Sequence, residues 1–248
     1  VVEQCEQDGL EPMSINPVVG ECNDSRINQI QKRVVGADEV RQAFASASEE
    51  FEEGDVGAGA GTICYGLKGG IGSASRVIRI GEKEYTIGVL VQSNFGATED
   101  FVLNGESVGA KILDWKQEKD DMAASEEDKG SIMSILATDL PLTSRQLRRI
   151  LRRTGVGIAR TGGYTGHGSG EVMIGFTTAN RIPSGAEEEL LQIQAIPEHV
   201  INRAFLAAAE AEQEAILNSM TAAERTRGQA GELYYSLSEY LEDQDSKQ

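Results

Sequence analysis

The sequence predicts a layered α/β protein in which sheets are covered by helices. Three observations carry that prediction. Two apolar runs of strand composition, "YTIGVLVQSNFG" at 85–96 and "SIMSILAT" at 131–138, are bounded by glycine and polar punctuation. Helical patterns flank them at 37–53, from Thr143 to about Gly155, and in the long segment that begins at Pro197. The chain has 248 residues, 40% apolar and 25% charged, which is enough for a sizeable core and too apolar for disorder.

Taken in order, residues 37–53 read as a helix capped by Asp38, with Val40, Ala43, Phe44 and Ala47 facing inward. The glycine-dense stretch 54–81 allows close backbone approach at bends between strands. The strand at 85–96 ends on Ser93, Asn94 and Phe95, and short strand-like pieces follow across 97–114. Residues 114–130, "DWKQEKDDMAASEEDKG", read as polar and mobile. After the strand at 131–138, Thr143 caps a helix whose apolar side is Leu147, Ile150 and Leu151. The arginines of "RQLRRILRR" (145–153) make its polar side, a solvated face that balances acidic neighbours. Two further strands are expected at about 156–161 and 171–178, joined by a glycine-rich loop. The helix from Pro197 carries Val200, Ile201, Ala204, Phe205 and Ala208 on one face, and the acidic tail "EYLEDQDSKQ" is expected to fray. No internal repeat is visible.

Charge and motif content exclude several functions. A formal net charge of −17 repels phosphate backbones and disfavours nucleic acid. No apolar run approaches the roughly 20 residues that span a bilayer, so no membrane partner is expected. The opening "VVEQCEQDGLEP" shows no leader; lacking Met, it reads as a fragment or a processed chain, which leaves localisation unknown. Cys5, Cys22 and Cys64 are odd in number and far apart, so they read as packing residues of a reducing compartment, with the cytoplasm mildly preferred. No metal is expected with His167 and His199 as the only histidines, the first in a loop and the second on a helix surface. No nucleotide cofactor is expected either. "GAGAGT" puts Thr62 or Cys64 where a dinucleotide fingerprint needs glycine, and Lys68 does not sit in a phosphate-loop motif. Lys68 reads as a surface residue and Trp115 as a packing aromatic.

No serine elbow and no convincing triad are present, so a serine nucleophile would need another base. "EEDKGSIMSILATDLPL" (126–142) offers one. Alone, a serine between a glycine and an apolar strand is an ordinary loop-to-strand junction. If the Gly130–Ser131 bond were cut, Ser131 would carry a free α-amine beside its hydroxyl. With an unperturbed pKa near 7.7–8.0, that amine serves as a general base. An oxyanion donor and an orienting carboxylate are then required, and Asn94 and the Ser169–Glu171 pair are the polar candidates.

Several blocks occur together in order: "INPVVGECND" (15–24), "GAGAGT" with "KGGIGSASR" (57–76), "GVLVQSNFG" (88–96), "GSIMSILATDLPL" (130–142), "RQLRRILRRTGVGIARTGG" (145–163), "GSGEVMIGFTTAN" (168–180) and the late "ILNSMTAAERTRGQAG" (216–231). Together they resemble the L-aminopeptidase/D-esterase family that includes the β-peptidyl aminopeptidases, over about residues 14–232. The resemblance implies a self-processing serine aminopeptidase with an αββα sandwich of the N-terminal nucleophile type. It implies a single domain over 1–248, cut into an α-subunit part (1–130) and a β-subunit (131–248), in a homotetramer of such heterodimers. Matched residue by residue, Ser131 is the nucleophile and new N-terminus, Asn94 the oxyanion residue, and Ser169 with Glu171 the pair that orients nucleophile and amine. Substrates implied are short peptides, amides or esters, with no cofactor. The family carries roughly a further third of sequence, including early strands and an active-site tyrosine, before its "NPVVGE" block, so the chain is expected to be truncated and to lack its first strands. Two alternatives stay open. One is an acyltransferase like the ornithine acetyltransferases, which share the architecture but usually use threonine. The other is a catalytically silent fragment or binding protein.

Overall fold

The structure is a computed structural model that describes residues 1–119, 130–182 and 190–247. Two helices, α1 (Val2–Gln7) and α2 (Ala37–Ser46), precede the first strand. Strands β1 (Ile63–Cys64) and β2 (Leu67–Lys68) pair across a tight turn. A long antiparallel hairpin follows, β3 (Gly70–Ile80) with β4 (Lys83–Asn94). The small pair β5 (Val102–Leu103) and β6 (Glu106–Ser107) leads into α3 (Gly109–Glu118). Next come β7 (Ser131–Thr138), α4 (Ser144–Leu151), α5 (Thr154–Arg160), β8 (Gly170–Thr177) and α6 (Ile201–Thr221). The chain closes with the pair β9 (Thr226–Arg227) and β10 (Leu233–Tyr234), then α7 (Leu237–Ser246).

One four-stranded sheet, ordered β3-β4-β7-β8, organises the described residues. β4 runs antiparallel to both β3 and β7, whereas β7 and β8 are parallel. A parallel pair cannot be joined by a tight turn and needs a crossover, which α4 and α5 supply. Strand alternation sends Ile87, Val89 and Val91 of β4 and Ile132 and Leu136 of β7 to one face, where all five are buried in the core cluster with α6. The opposite face carries Val77, Ile135, Val172 and Phe176, all exposed.

Helix α6 packs closely because its sheet-facing residues are small. Ala204, Ala207, Ala208, Ala211 and Ala215 are buried, and a Cβ at Gly72 of β3 would overlap the Ala215 carbonyl oxygen. Polar contacts fix its rotation: the Ser93 and Ser219 hydroxyls meet at 2.7 Å, and Asn218 Nδ2 donates to the Ser73 carbonyl at 2.8 Å. Arg76 pairs with Glu210 and Glu214 at 3.4 and 2.5 Å.

The structure corrects several local expectations. The first long helix ends at Ser46 rather than 53. Its N-cap is Gly36, whose N–H donates to Glu39 at 2.7 Å, while Asp38 pairs with Arg41. Its residues Val40 and Phe44 are exposed, not inward. Residues 109–118 form α3, leaving 120–129 of the expected mobile run outside the described residues. Residues 154–160 form α5 rather than a strand, because Ile158 and Gly157 pack against α6. The acidic tail is helical over 237–246, started by a capping box in which Ser236 accepts from the Glu239 N–H. The expected Thr143 cap is present, its hydroxyl accepting from the Gln146 N–H at 3.2 Å. Arg145 and Arg149 of the arginine face both pair with Glu198, an acidic neighbour 49 or more residues away that the sequence did not single out.

One buried acid makes stability depend on pH. Glu212 of α6 is fully buried; its Oε1 accepts from Ser134 Oγ at 2.5 Å, and its Oε2 has no partner. Burial pushes its carboxyl up to about 7, with the Ser134 hydrogen bond opposing. The folded state therefore holds a proton that the unfolded chain, with a glutamate pKa near 4.3, releases. Its contribution is complete below about pH 4 and is lost as pH rises through about 7, at up to about 1.4 kcal/mol per pH unit. Urea unfolding of the chain and of Glu212→Gln from pH 5 to 8 reads this directly. The native chain is expected to lose stability relative to the glutamine variant up to about pH 7, and the gap to stay constant above it.

Candidate active site

Three strand ends meet at one edge of the sheet. β4 finishes at Asn94, β7 starts at Ser131 and β8 starts at Gly170. The register pairs Ser131 with Asn94 on one side and with Gly170 on the other. Alternation puts the Ser131 and Asn94 side chains on the same face, away from α6, because their neighbours Ile132 and Ser93 are the ones packed toward it.

Local sequence explains why the chain can arrive this way. Gly130 lies against the end of β4, where a Cβ would overlap the Asn94 carbonyl oxygen and Phe95 Cα. Gly96, at φ +89°, turns the chain after β4 over the ring of Tyr65, where a Cβ would collide. Tyr65 itself holds a left-handed φ of +51°, kept in place by its stack on Phe101 at 4.6 Å and its hydroxyl contact with Thr161 at 2.9 Å.

Asn94 is 8% exposed and held at both ends of its amide. Its Oδ1 accepts from the Ile63 N–H at 3.0 Å, and its Nδ2 donates to the Asn23 carbonyl at 3.2 Å. The Ile63 turn is braced in its turn by Lys68. This lysine is completely buried, and its Nζ donates to the carbonyls of Gly59 and Gly69, both at 2.8 Å. Burial lowers its pKa to about 8, against the opposing attraction of Asp55 and Asp24. The sequence expectation of a surface residue is corrected here: the glycine-rich bends turn the carbonyls of Gly59 and Gly69 inward, where they hydrogen-bond the buried ammonium.

Cys22 is the residue that reading by sequence left out of the site. It is buried, and its Sγ lies 3.5 Å from the Ser131 carbonyl oxygen and 3.6 Å from that of Gln92. Burial pushes its thiol pKa up, while the Ser131 hydroxyl and the Met133 backbone oppose the rise. It is a packing residue, as expected, but one that packs on the nucleophile candidate. Its place in "GECND", two residues before Asp24 and next to Asn23, was the only available signal.

Ser169 and Glu171 flank Gly170. Ser169 Oγ is buried without a hydrogen-bond partner, an unusual state for a hydroxyl. Glu171 pairs with Ile132, so alternation assigns its side chain to the face opposite that of Ser131. Among the described residues neither Ser169 nor Glu171 hydrogen-bonds Ser131. The register thus brings Ser131 and Asn94 side by side and leaves the Ser169–Glu171 pair adjacent but unengaged. His167 and His199 are exposed and take no part. No group of His, Cys, Asp and Glu suited to a metal occurs among the described residues, and none of their helices is long and apolar enough to cross a membrane.

Comparisons with known proteins agree with this architecture. Residues 1–234 match the family described as peptidase family S58. The β-peptidyl aminopeptidase BapA of Sphingosinicella xenopeptidilytica is 36% identical over 220 residues, covering 86% of this chain and 55% of that protein. BapA of Sphingosinicella microcystinivorans is 35% identical over 224 residues, covering 87% and 57%. The chain therefore spans little more than half the length of these curated relatives. Among solved structures, the PH0078 protein of Pyrococcus horikoshii superposes with a TM-score of 0.85 at 45% identity, covering 97% of this chain and 65% of that one. The L-aminopeptidase D-Ala-esterase/amidase of Ochrobactrum anthropi, described as a new variant among the Ntn hydrolase fold, gives 0.79 at 35% identity, covering 89% and 60%. The fold is accordingly that of the Ntn-hydrolase serine aminopeptidases. Among the described residues the four-stranded sheet packs against helix α6 on one face and leaves Val77, Ile135, Val172 and Phe176 exposed on the other.

The bracing role of Lys68 has a measurable consequence. Lys68→Met keeps the stem but leaves the Gly69 carbonyl without that donor, and is expected to destabilise the chain by about 1–3 kcal/mol in urea unfolding.

Proposed function

Because the chain belongs to peptidase family S58, we propose that it is a serine aminopeptidase. In this reading it cuts its own Gly130–Ser131 bond and then releases N-terminal residues from short peptides, amides or esters through an acyl-enzyme on Ser131. The observation that supports this most is the register that sets Ser131 between Asn94 and Gly170, with the unpartnered Ser169 hydroxyl beside it. The names of the relatives, β-peptidyl aminopeptidase and L-aminopeptidase D-Ala-esterase/amidase, support the substrate class.

In the uncut chain, Ser131 Oγ attacks the Gly130 carbonyl carbon. The peptide nitrogen leaves with a proton, and water then hydrolyses the ester. The freed α-amine of Ser131 becomes the base that takes the hydroxyl proton when substrate arrives. Release of Gly130 also frees the first residue of β7 to rotate, so its amine can reach the Ser169 hydroxyl and the Glu171 carboxylate one step along the neighbouring strand. Asn94 Nδ2 turns from the Asn23 carbonyl to the substrate oxyanion. The fragments 1–130 and 131–248 stay together because β4 and β7 pair from Ile87–Thr138 to Asn94–Ser131 across the cut. Assembly of these heterodimers into a homotetramer belongs to the same proposal.

Ser131→Ala is expected to abolish both cutting and hydrolysis, because one hydroxyl serves both attacks. A denaturing gel and N-terminal sequencing check this: the native chain should yield two bands, the second beginning Ser-Ile-Met-Ser. An uncut native chain with full activity would sink the reading. Asn94→Ala and Glu171→Gln are each expected to lower kcat by about 10²–10³-fold, the scale of losing one charge-stabilising donor or its equivalent. Steady-state kinetics on amino-acid p-nitroanilides measure it. The rate should also rise with pH through the range of an α-amine, near 7.7–8.0, as the base loses its proton.

A further inference from the structure

Self-cleavage and peptide hydrolysis place the oxyanion in different positions. In hydrolysis it belongs to an incoming substrate; in self-cleavage it is the carbonyl oxygen of Gly130, fixed in the chain. That oxygen already accepts a hydrogen bond from the backbone N–H of Gly170 at 3.0 Å. The side-chain amide of Asn94 is committed elsewhere, to Asn23 and Ile63. Resting on the self-processing reading, we propose that the Gly170 N–H is the oxyanion donor for cleavage of the Gly130–Ser131 bond, a role separate from that of Asn94.

Geometry and charge both support the assignment. The donor is held by parallel pairing of β7 and β8 from Ser131–Gly170 to Thr138–Thr177, so it needs no reorganisation when charge develops. The acceptor cannot swing away, because Gly130 is packed against the Asn94 carbonyl and Phe95 Cα. As Ser131 Oγ bonds to the Gly130 carbon, the carbonyl π electrons move onto this oxygen. Hydrogen bonds to a charged acceptor are roughly twice as strong as neutral ones, so an ordinary ladder bond becomes one that favours the transition state. Collapse breaks the carbon–nitrogen bond and returns the charge. The hydroxyl proton ends on the departing amine, and water completes hydrolysis to the Gly130 carboxylate and free Ser131.

Backbone substitution tests this. Cell-free translation can place glycolic acid at position 170, which replaces the N–H by an ester oxygen and changes no side chain. The matching α-hydroxy acid at Val172, one step along the same ladder, removes a neighbouring sheet donor and leaves the hydrogen bond to the scissile carbonyl in place. Appearance of the 131–248 fragment is followed by gel, with unmodified chain and Ser131→Ala alongside. The expected result is cleavage slowed by about 10²–10³-fold for the ester at 170 and within a few-fold of native for the ester at 172. Native-rate cleavage with the ester at 170, or equal slowing by both esters, overturns the assignment while leaving self-processing intact. An unmodified chain that stays whole, or cutting that persists in Ser131→Ala, overturns the underlying reading and the donor with it.

Discussion

The pairing of β7 between neighbours of opposite direction is the constraint on which the rest of the structure depends. Because β4 runs antiparallel and β8 parallel to it, the end of one strand and the starts of two others come to a single edge. Side-chain direction alternates with each residue, so a slip of one would pair Ser131 with Ser93 or Phe95 and send its hydroxyl into the helix-covered face. The apolar pattern of β7 prevents that slip: Ile132 and Leu136 are fully buried on one side, and moving them to the other would expose both. The same hydrophobic register that builds the core therefore positions the candidate nucleophile.

Around this edge, glycines replace side chains wherever backbone must meet backbone, and buried polar groups satisfy what the bends leave open. Lys68 bonds the carbonyls of Gly59 and Gly69, and the turn between them presents the Ile63 N–H to Asn94. An ammonium in the interior is costly unless hydrogen-bonded, so its placement implies a turn that cannot relax easily. Glu212 lies on the other face, beneath Ser134 and three residues along from Ser131, and couples the long helix to the same strand. Ser169 differs from both: the residue is only half-buried, yet its hydroxyl oxygen is shielded and unused, one residue before the Gly170 that pairs with Ser131.

Legibility by sequence followed the strength of local signals. The strands expected at 85–96 (found at 83–94) and 131–138, the Thr143 cap and the helix after Pro197 were visible, because each combines a clear period with clear punctuation. The α3 helix was hidden by charges at 111, 114 and 116 around its buried Ile112 and Trp115. The α5 segment alternates Val156 and Ile158 like a strand, and only its packing on α6 decides for helix. The α7 helix was obscured by its acidity, although "SLSE" at 236–239 is a capping-box signal. Phe44 and Val40 looked inward by periodicity yet are exposed, since periodicity says which residues share a face and not what that face meets.

Local pattern along the chain was enough to establish the class of layered α/β fold, its main strands and helices, and the set of chemical groups: a serine behind a glycine, an asparagine ending a strand, a serine–glycine–glutamate run opening another. These follow from local periodicity and from ordered blocks of family-like sequence. The tertiary structure alone decided which of these groups touch. It set Ser131 against Asn94 and Gly170 but kept the Glu171 side chain on the opposite face, turned Lys68 inward, and brought Cys22 to the Ser131 carbonyl from 109 residues away. Such contacts depend on register and crossover between distant strands, and no local preference in the chain encodes them.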